Sequence, residues 1–190
     1  DLQFVRTPKG LYDPVTYVLS MGGKRIRPVL MLMAYNLYKE DVESVFSPAT
    51  GIEVYHNYTL LHDDLMDRAD KRRGKDTVHK VWNDNAAILS GDAMLVLAYQ
   101  FMAQCPVGHL KEVMDLFSLT ALEICEGQQM DMEFERRNDV KEEEYYEEEN
   151  RGIIYGSMYG SFCNRLRRQQ TGRDYCSSRV RSKGRRDNCS

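Results

Sequence analysis

The sequence predicts an all-α protein, a bundle of long helices. Apolar residues recur at helical spacing through the first 150 positions, start and stop residues punctuate them, and neither strand alternation nor a hairpin signal is found. Arg25 to Lys39 carries Ile26, Val29, Leu30, Leu32, Met33, Leu37 and Tyr38. These form two apolar faces, the pattern of a largely buried helix. Pro28 falls in its first turn, where a missing N–H costs little. A second helix is expected from Ser47-Pro48, a cap followed by proline, to about Asp67. A polar loop follows, Arg68 to Asp76. A third helix is expected over Asn85–Gln104, ahead of Pro106, and a fourth over Gly108–Arg137. A fifth would start at Asp139, with Glu142 completing a capping box.

The 190 residues fit one domain with an appendage. The hydrophobic share of 42% and the charged share of 29% exclude a uniformly disordered chain. No apolar run is long enough to span a bilayer, and no leader pattern precedes the helices, so a cytoplasmic location is expected. The chain starts at Asp1 and not at a methionine, which suggests a fragment. The net charge of −3 hides a division. Residues 151–190 hold ten Lys/Arg against two Asp/Glu, whereas residues 1–150 hold 16 against 27. The tail has only five Leu, Ile, Val or Met and no period, so it is expected to be disordered. Cys105, Cys125, Cys163, Cys176 and Cys189 form no CxxC pair, which favours free thiols in a reducing compartment.

The strongest chemical feature is His62-Asp63-Asp64-Leu65-Met66-Asp67. Asp63 and Asp67 are four apart and share a helix face, so they repel unless a cation lies between them. Oxygen-only ligands at this density suit Mg²⁺, which completes its shell with water and substrate phosphate. In isolation the motif reads equally well as a solvated acidic helix end. The apolar residues ahead of it (Ile52, Val54, Leu60, Leu61) favour a metal, because unpaired acids continuing a buried face are costly. Gly22-Gly23-Lys24-Arg25-Ile26-Arg27-Pro28 is a flexible basic loop opening a helix, a natural anion site. Arg72-Arg73-Gly74-Lys75 is a second basic loop suited to a diphosphate, although alone it would pass for an ordinary surface loop. Gln128 and Asp131 lie three apart on one helix face and carry no signal alone.

In combination these features resemble the trans-isoprenyl diphosphate synthases, or polyprenyl synthetases, of the farnesyl and geranylgeranyl type. The resemblance rests on GGKRIRP at 22–28, HNYTLLHDDLMD at 56–67, RRGK at 72–75, Gly91-Asp92 and GQQMD at 127–131, running in order from about Leu11 to Glu149. It implies an isoprenoid-synthase-type helical bundle. It also implies that Asp63 and Asp67, with Asp64 in support, hold Mg²⁺ on an allylic diphosphate that Arg72 contacts. Lys24, Arg27, His56 and Arg73 would cradle the diphosphate of isopentenyl diphosphate. Gln128 and Asp131 would face the cavity from another helix. The implied reaction ionises the allylic C–O bond. The isopentenyl double bond then attacks the cation, and the released diphosphate takes the proton. Tyr58, five before Asp63, would limit product length to a short chain. Without the resemblance, His56 and Tyr58 would read as core residues. Full-length relatives are expected to be homodimers, and no nucleic-acid partner is expected.

Two departures from the family pattern stand out. Asp76 replaces a proline usual after RRGK, which would loosen the loop holding Arg72 and Arg73. No second aspartate-rich motif follows Asp67, nor the Lys-Thr pair expected before it. The resemblance therefore covers the N-terminal part of a synthase (residues 1–150), and a polypeptide of these 190 residues is expected to be inactive. Detectable condensation by the purified chain would refute that. The segment 151–190 has the composition of an out-of-frame translation, a hypothesis that the DNA downstream of codon 150 tests. The sequence leaves two other readings open. One is a non-catalytic helical protein whose basic tail binds nucleic acid or anionic lipid. The other is a non-catalytic partner subunit of a prenyl synthase.

Overall fold

The structure, a computed structural model, describes residues 6–134, 136, 137 and 139–141. These fall into two compact units, 1–122 and 123–190. The first holds α1 (Lys9–Ser20), α2 (Ile26–Asn36), α3 (Phe46–Met66), a ribbon of β1 (Lys71–Arg72) and β2 (Lys75–Asp76), α4 (Val78–Val81) and α5 (Asp84–Met102). The last helix, α6 (Leu110–Phe134), contributes to both units. The all-α class expected from the sequence is the observed one.

The main packing pair of the first unit is α3 with α5, and α1 lies against α5. Val54, Leu60 and Leu61 of α3, Ala87, Met94 and Ala98 of α5, and Val15 and Val18 of α1 are all buried in that unit's core. This close burial of apolar surface is the main stabilising term of the unit. Asn83 caps α5, its side-chain oxygen accepting from the Ala86 N–H at 2.8 Å. Among the described residues no single helix is long and apolar enough to cross a membrane.

Several expectations are corrected. Helix α2 has no buried residue, although two apolar faces suggested burial. It packs on α3 but leaves Leu30 57% and Met33 61% exposed. Ser47 does not cap α3. A 3₁₀ turn over Val42–Val45 feeds the helix two residues earlier, and the Ser47 hydroxyl instead lies 3.2 Å from the Phe101 carbonyl and 3.0 Å from Gln104 Oε1. Pro48 still falls in the first turn. The stretch expected to be loop contains a hairpin, with Lys71 opposite Asp76 and Arg72 opposite Lys75. Its two-residue turn is Arg73-Gly74, with φ of 52° and 81°. Positive φ at both turn positions matches the right-handed twist of a short ribbon. The fourth helix starts at Leu110, after a 3₁₀ turn over Val107–His109, and ends at Phe134. Residues 139–141, where the fifth was to begin, are not helical, and its remainder lies outside the described residues. So does the tail, 151–190. Helix α1, which the apolar spacing does not predict, forms despite Pro14 in its interior, a proline that is fully buried.

Candidate functional site: an acidic helix end against two basic loops

Helix α3 delivers Asp63 and Asp64 at its end, and Asp67 is the residue that caps it. The hairpin returns the chain so that Arg72 meets these acids. The Arg72 Nε donates to both Asp64 oxygens at 2.8 and 2.9 Å, and Nη2 lies 2.6 Å from Asp64 Oδ1 and 3.1 Å from Asp63 Oδ2. This forked arrangement is the strong form of a charged hydrogen bond. It neutralises Asp64, which is buried, and braces Asp63. Burial, and next the Asp67 charge, push the Asp63 carboxyl up to about 6, with Arg72 opposing. Asp67 is exposed.

The hairpin itself is anchored. The Tyr17 hydroxyl donates to the Asp76 carbonyl at 2.8 Å. Buried Thr77 donates through Oγ1 to the Ala69 carbonyl at 2.7 Å. Asp76, at the proline-to-aspartate departure, stands opposite Lys71 in the ribbon.

The turn residue Arg73 reaches the other basic loop and donates through Nη1 to the Gly22 carbonyl. Its guanidinium lies where a side chain of Gly23 would stand, since a Cβ there would come within 2.8 Å of Nη1. Gly23 also has φ of +145°, so both space and conformation require glycine. Lys24 is exposed beside it, and Arg25 follows in a left-handed conformation (φ 50°) that opens α2.

Beneath this loop lies Glu53, 8% exposed. It pairs with Arg25 Nη1, and Asn57 Nδ2 donates to its Oε1 at 2.9 Å. Arg25 Nη2 donates to the Leu19 carbonyl at 2.9 Å. Burial lowers the Arg27 and Arg73 guanidinium pKa values from their usual range, and the Glu53 carboxylate partly offsets that at both. Burial, and then the Arg27 charge, depress the His56 imidazole to about 4, so it is neutral at pH 7. The site is a basic cradle with one buried carboxylate under it, next to an acidic pair clamped by arginine.

The motifs include Arg25 and Asn57 without giving either a role of its own, and they leave out Glu53. A charged residue between Ile52 and Val54, in an otherwise apolar helix run, was the available signal for Glu53. Tyr58 packs edge-on to His62 at 4.8 Å and tilted on Tyr55 at 5.4 Å. Gly91 of α5 gives the His62 ring its place, because a Cβ there would collide with the imidazole. Gln128 and Asp131 belong to the second unit, three residues apart on α6.

Among the described residues no three His, Cys, Asp or Glu side chains converge to hold a metal unaided. The donor set still fits Mg²⁺, because this ion commonly takes one or two carboxylates and fills its remaining positions with phosphate and water. Asp63 and Asp67 supply hard oxygen donors at one helix end, next to basic groups suited to phosphate.

The described geometry has counterparts in known proteins. Residues 8–151 match the family model for polyprenyl synthetase. A geranylgeranyl diphosphate synthase of Methanosarcina mazei is 41% identical over 158 residues, covering 80% of this chain and 48% of that protein. A short chain isoprenyl diphosphate synthase of Methanocaldococcus jannaschii is 45% identical over 134 residues, covering 70% and 41%. The solved structure of a geranylgeranyl pyrophosphate synthetase from the archaeon Geoglobus acetivorans superposes with a TM-score of 0.72 at 39% identity, over 75% of this chain and 47% of that one. The chain thus spans about half the length of the curated relatives it matches. With the family model covering most of the chain and the fold shared, the chain belongs to the polyprenyl synthetase (trans-isoprenyl diphosphate synthase) family.

Proposed function

We propose that this chain carries the diphosphate-binding portion of a prenyltransferase that joins an allylic diphosphate to isopentenyl diphosphate, giving a short-chain prenyl diphosphate. One observation carries the reading. Neighbouring arginines on a single hairpin divide between the end of α3 and the basic loop ahead of α2, Arg72 holding Asp63 and Asp64 while Arg73 reaches Gly22. Two anionic groups could therefore be received side by side.

Asp63 and Asp67 would hold Mg²⁺ on the allylic diphosphate. When bound, the ion supplies positive charge that stabilises the departing diphosphate. Arg72 turns its fork from the aspartates to the diphosphate oxygens, where it stabilises the charge developing as the C–O bond ionises. Lys24, Arg27 and Arg73 cradle the second diphosphate. His56, neutral at pH 7, adds a hydrogen bond without charge. These groups orient the double bond for attack, so that positioning supplies much of the rate. No protein nucleophile is required, and the released diphosphate accepts the proton. Tyr58 would set product length, Gln128 and Asp131 are assigned to substrate binding as the family motif implies, and a cytoplasmic location accords with this chemistry.

Isothermal titration of the 190-residue chain tests the reading. Mg²⁺ is expected to strengthen binding of dimethylallyl diphosphate, and Asp63→Asn to remove that enhancement. Arg73→Ala is expected to weaken isopentenyl diphosphate binding without Mg²⁺. Identical affinities in wild type and both variants would overturn the assignment.

A further inference from the structure

We propose that Glu53 is the positioning residue of the basic cradle, setting its geometry through Arg25 and not touching the diphosphate itself. The inference deepens the reading given above and rests on it. An anion site gains nothing from a carboxylate in direct contact, so a buried acid facing the three arginines Arg25, Arg27 and Arg73 needs a reason.

The geometry supplies one. Glu53 is buried, and its Oε1 receives both Arg25 Nη1 and the Asn57 amide. Asn57, 1% exposed, is fixed in turn by donating to the Glu53 carbonyl at 2.8 Å. The carboxylate is therefore locked on α3, one turn from His56. Arg25 is the first residue after Gly22-Gly23-Lys24 and adopts a left-handed conformation that L-residues avoid. Its side chain is held at both ends of the guanidinium, by Glu53 and by the Leu19 carbonyl. The pair thereby pins the backbone bend that aims Lys24 and starts the helix carrying Arg27. Arg73 repels Arg25 and is drawn to Glu53, so the same carboxylate lets two arginines approach one another.

This role differs in sign from simple charge screening. Glu53→Gln raises the formal charge of the cradle by one. If Glu53 only weakened the local field, that change would tighten anion binding. If it positions Arg25, binding weakens despite the added charge. Glu53→Asp separates the two further, because it keeps the charge but withdraws the carboxylate by one methylene.

The test is the affinity of the full 190-residue chain for inorganic pyrophosphate, with far-UV circular dichroism as the folding control. Both variants are expected to bind about tenfold more weakly than wild type, the scale of loss seen when a supporting partner of a binding residue is removed. Hydrogen exchange at Gly23, Lys24 and Arg25 should accelerate in both. Unchanged or tighter binding by folded Glu53→Gln, or wild-type affinity in Glu53→Asp, overturns the positioning role. Loss of fold in both variants also overturns it, assigning Glu53 to stability alone. Failure of the wild-type chain to bind pyrophosphate would instead sink the cradle reading on which the inference stands.

Discussion

Burial holds the His56 imidazole near a pKa of about 4, well below the 6.5 it would have in an unfolded chain. A depressed histidine pKa contributes stability above the unfolded value, and that stability is lost as pH falls toward 4. Asp63, raised to about 6, works in the opposite direction, stabilising the fold as it protonates below that pH. His56→Gln removes the first effect and leaves the second. Urea denaturation should therefore show wild type losing more stability than the variant between pH 7 and 4.5. The excess is about 1–2 kcal/mol, discounted for a partly solvated site. Equal losses would contradict the burial of His56. Gly91 offers a steric test at the same scale. Gly91→Ala drives a methyl group into the His62 ring and should cost about 1–3 kcal/mol in thermal melts. Gly10→Ala, on α1 with nothing within 4 Å of the added carbon, should change stability by less than about 1 kcal/mol.

At the level of elements, the hairpin depends on tertiary anchors because four strand residues cannot sustain a ribbon by themselves. Tyr17→Phe removes the bond to the Asp76 carbonyl and leaves the ring against Trp82, 5.2 Å between centroids. Amide exchange at Lys71–Asp76 is expected to quicken while the α3 and α5 amides keep wild-type protection. Uniform acceleration across all elements would show a global effect instead. The hairpin also marks where reading the sequence fails. Lys71, Arg72, Lys75 and Asp76 are polar on both faces, so no alternation exists to detect. Arg73, unlike asparagine or glycine, gives no advance sign of a left-handed turn. Helices α3 and α5 were legible because Val54, Leu60, Leu61, Met94 and Ala98 recur at the period that buries them. The acidic motif at the end of α3 and the two basic loops were visible as motifs. The Glu53–Arg25 pair was not, because it depends on a backbone bend at Arg25 that local propensity disfavours. Helix α2 misled for a different reason. Its two apolar faces signal a buried environment, but periodicity does not say which residues supply the cover.

For the molecule as a whole, the uncovered faces set its solution behaviour. Ile26, Val29, Leu30 and Met33 form an exposed apolar surface along α2, and surfaces of this kind drive association. The 190-residue chain should self-associate as concentration rises, and Leu30→Lys with Met33→Glu should shift sedimentation toward monomer. Sedimentation unchanged by the double substitution would exclude α2 as the sticky surface. Arg72 has a different whole-molecule effect. Asp64 and Asp63 find their counter-charge within the chain, from a residue eight or nine positions on. Chelation with EDTA should leave the melting temperature where it was, whereas Arg72→Met should lower stability by about 2 kcal/mol, the scale of a lost charged hydrogen bond. A fall in melting temperature on chelation would contradict this. Small zinc domains, by contrast, unfold when their ion is taken away. Here an internal guanidinium already balances the acidic helix end, so the polypeptide can complete its shape without waiting on mineral supply.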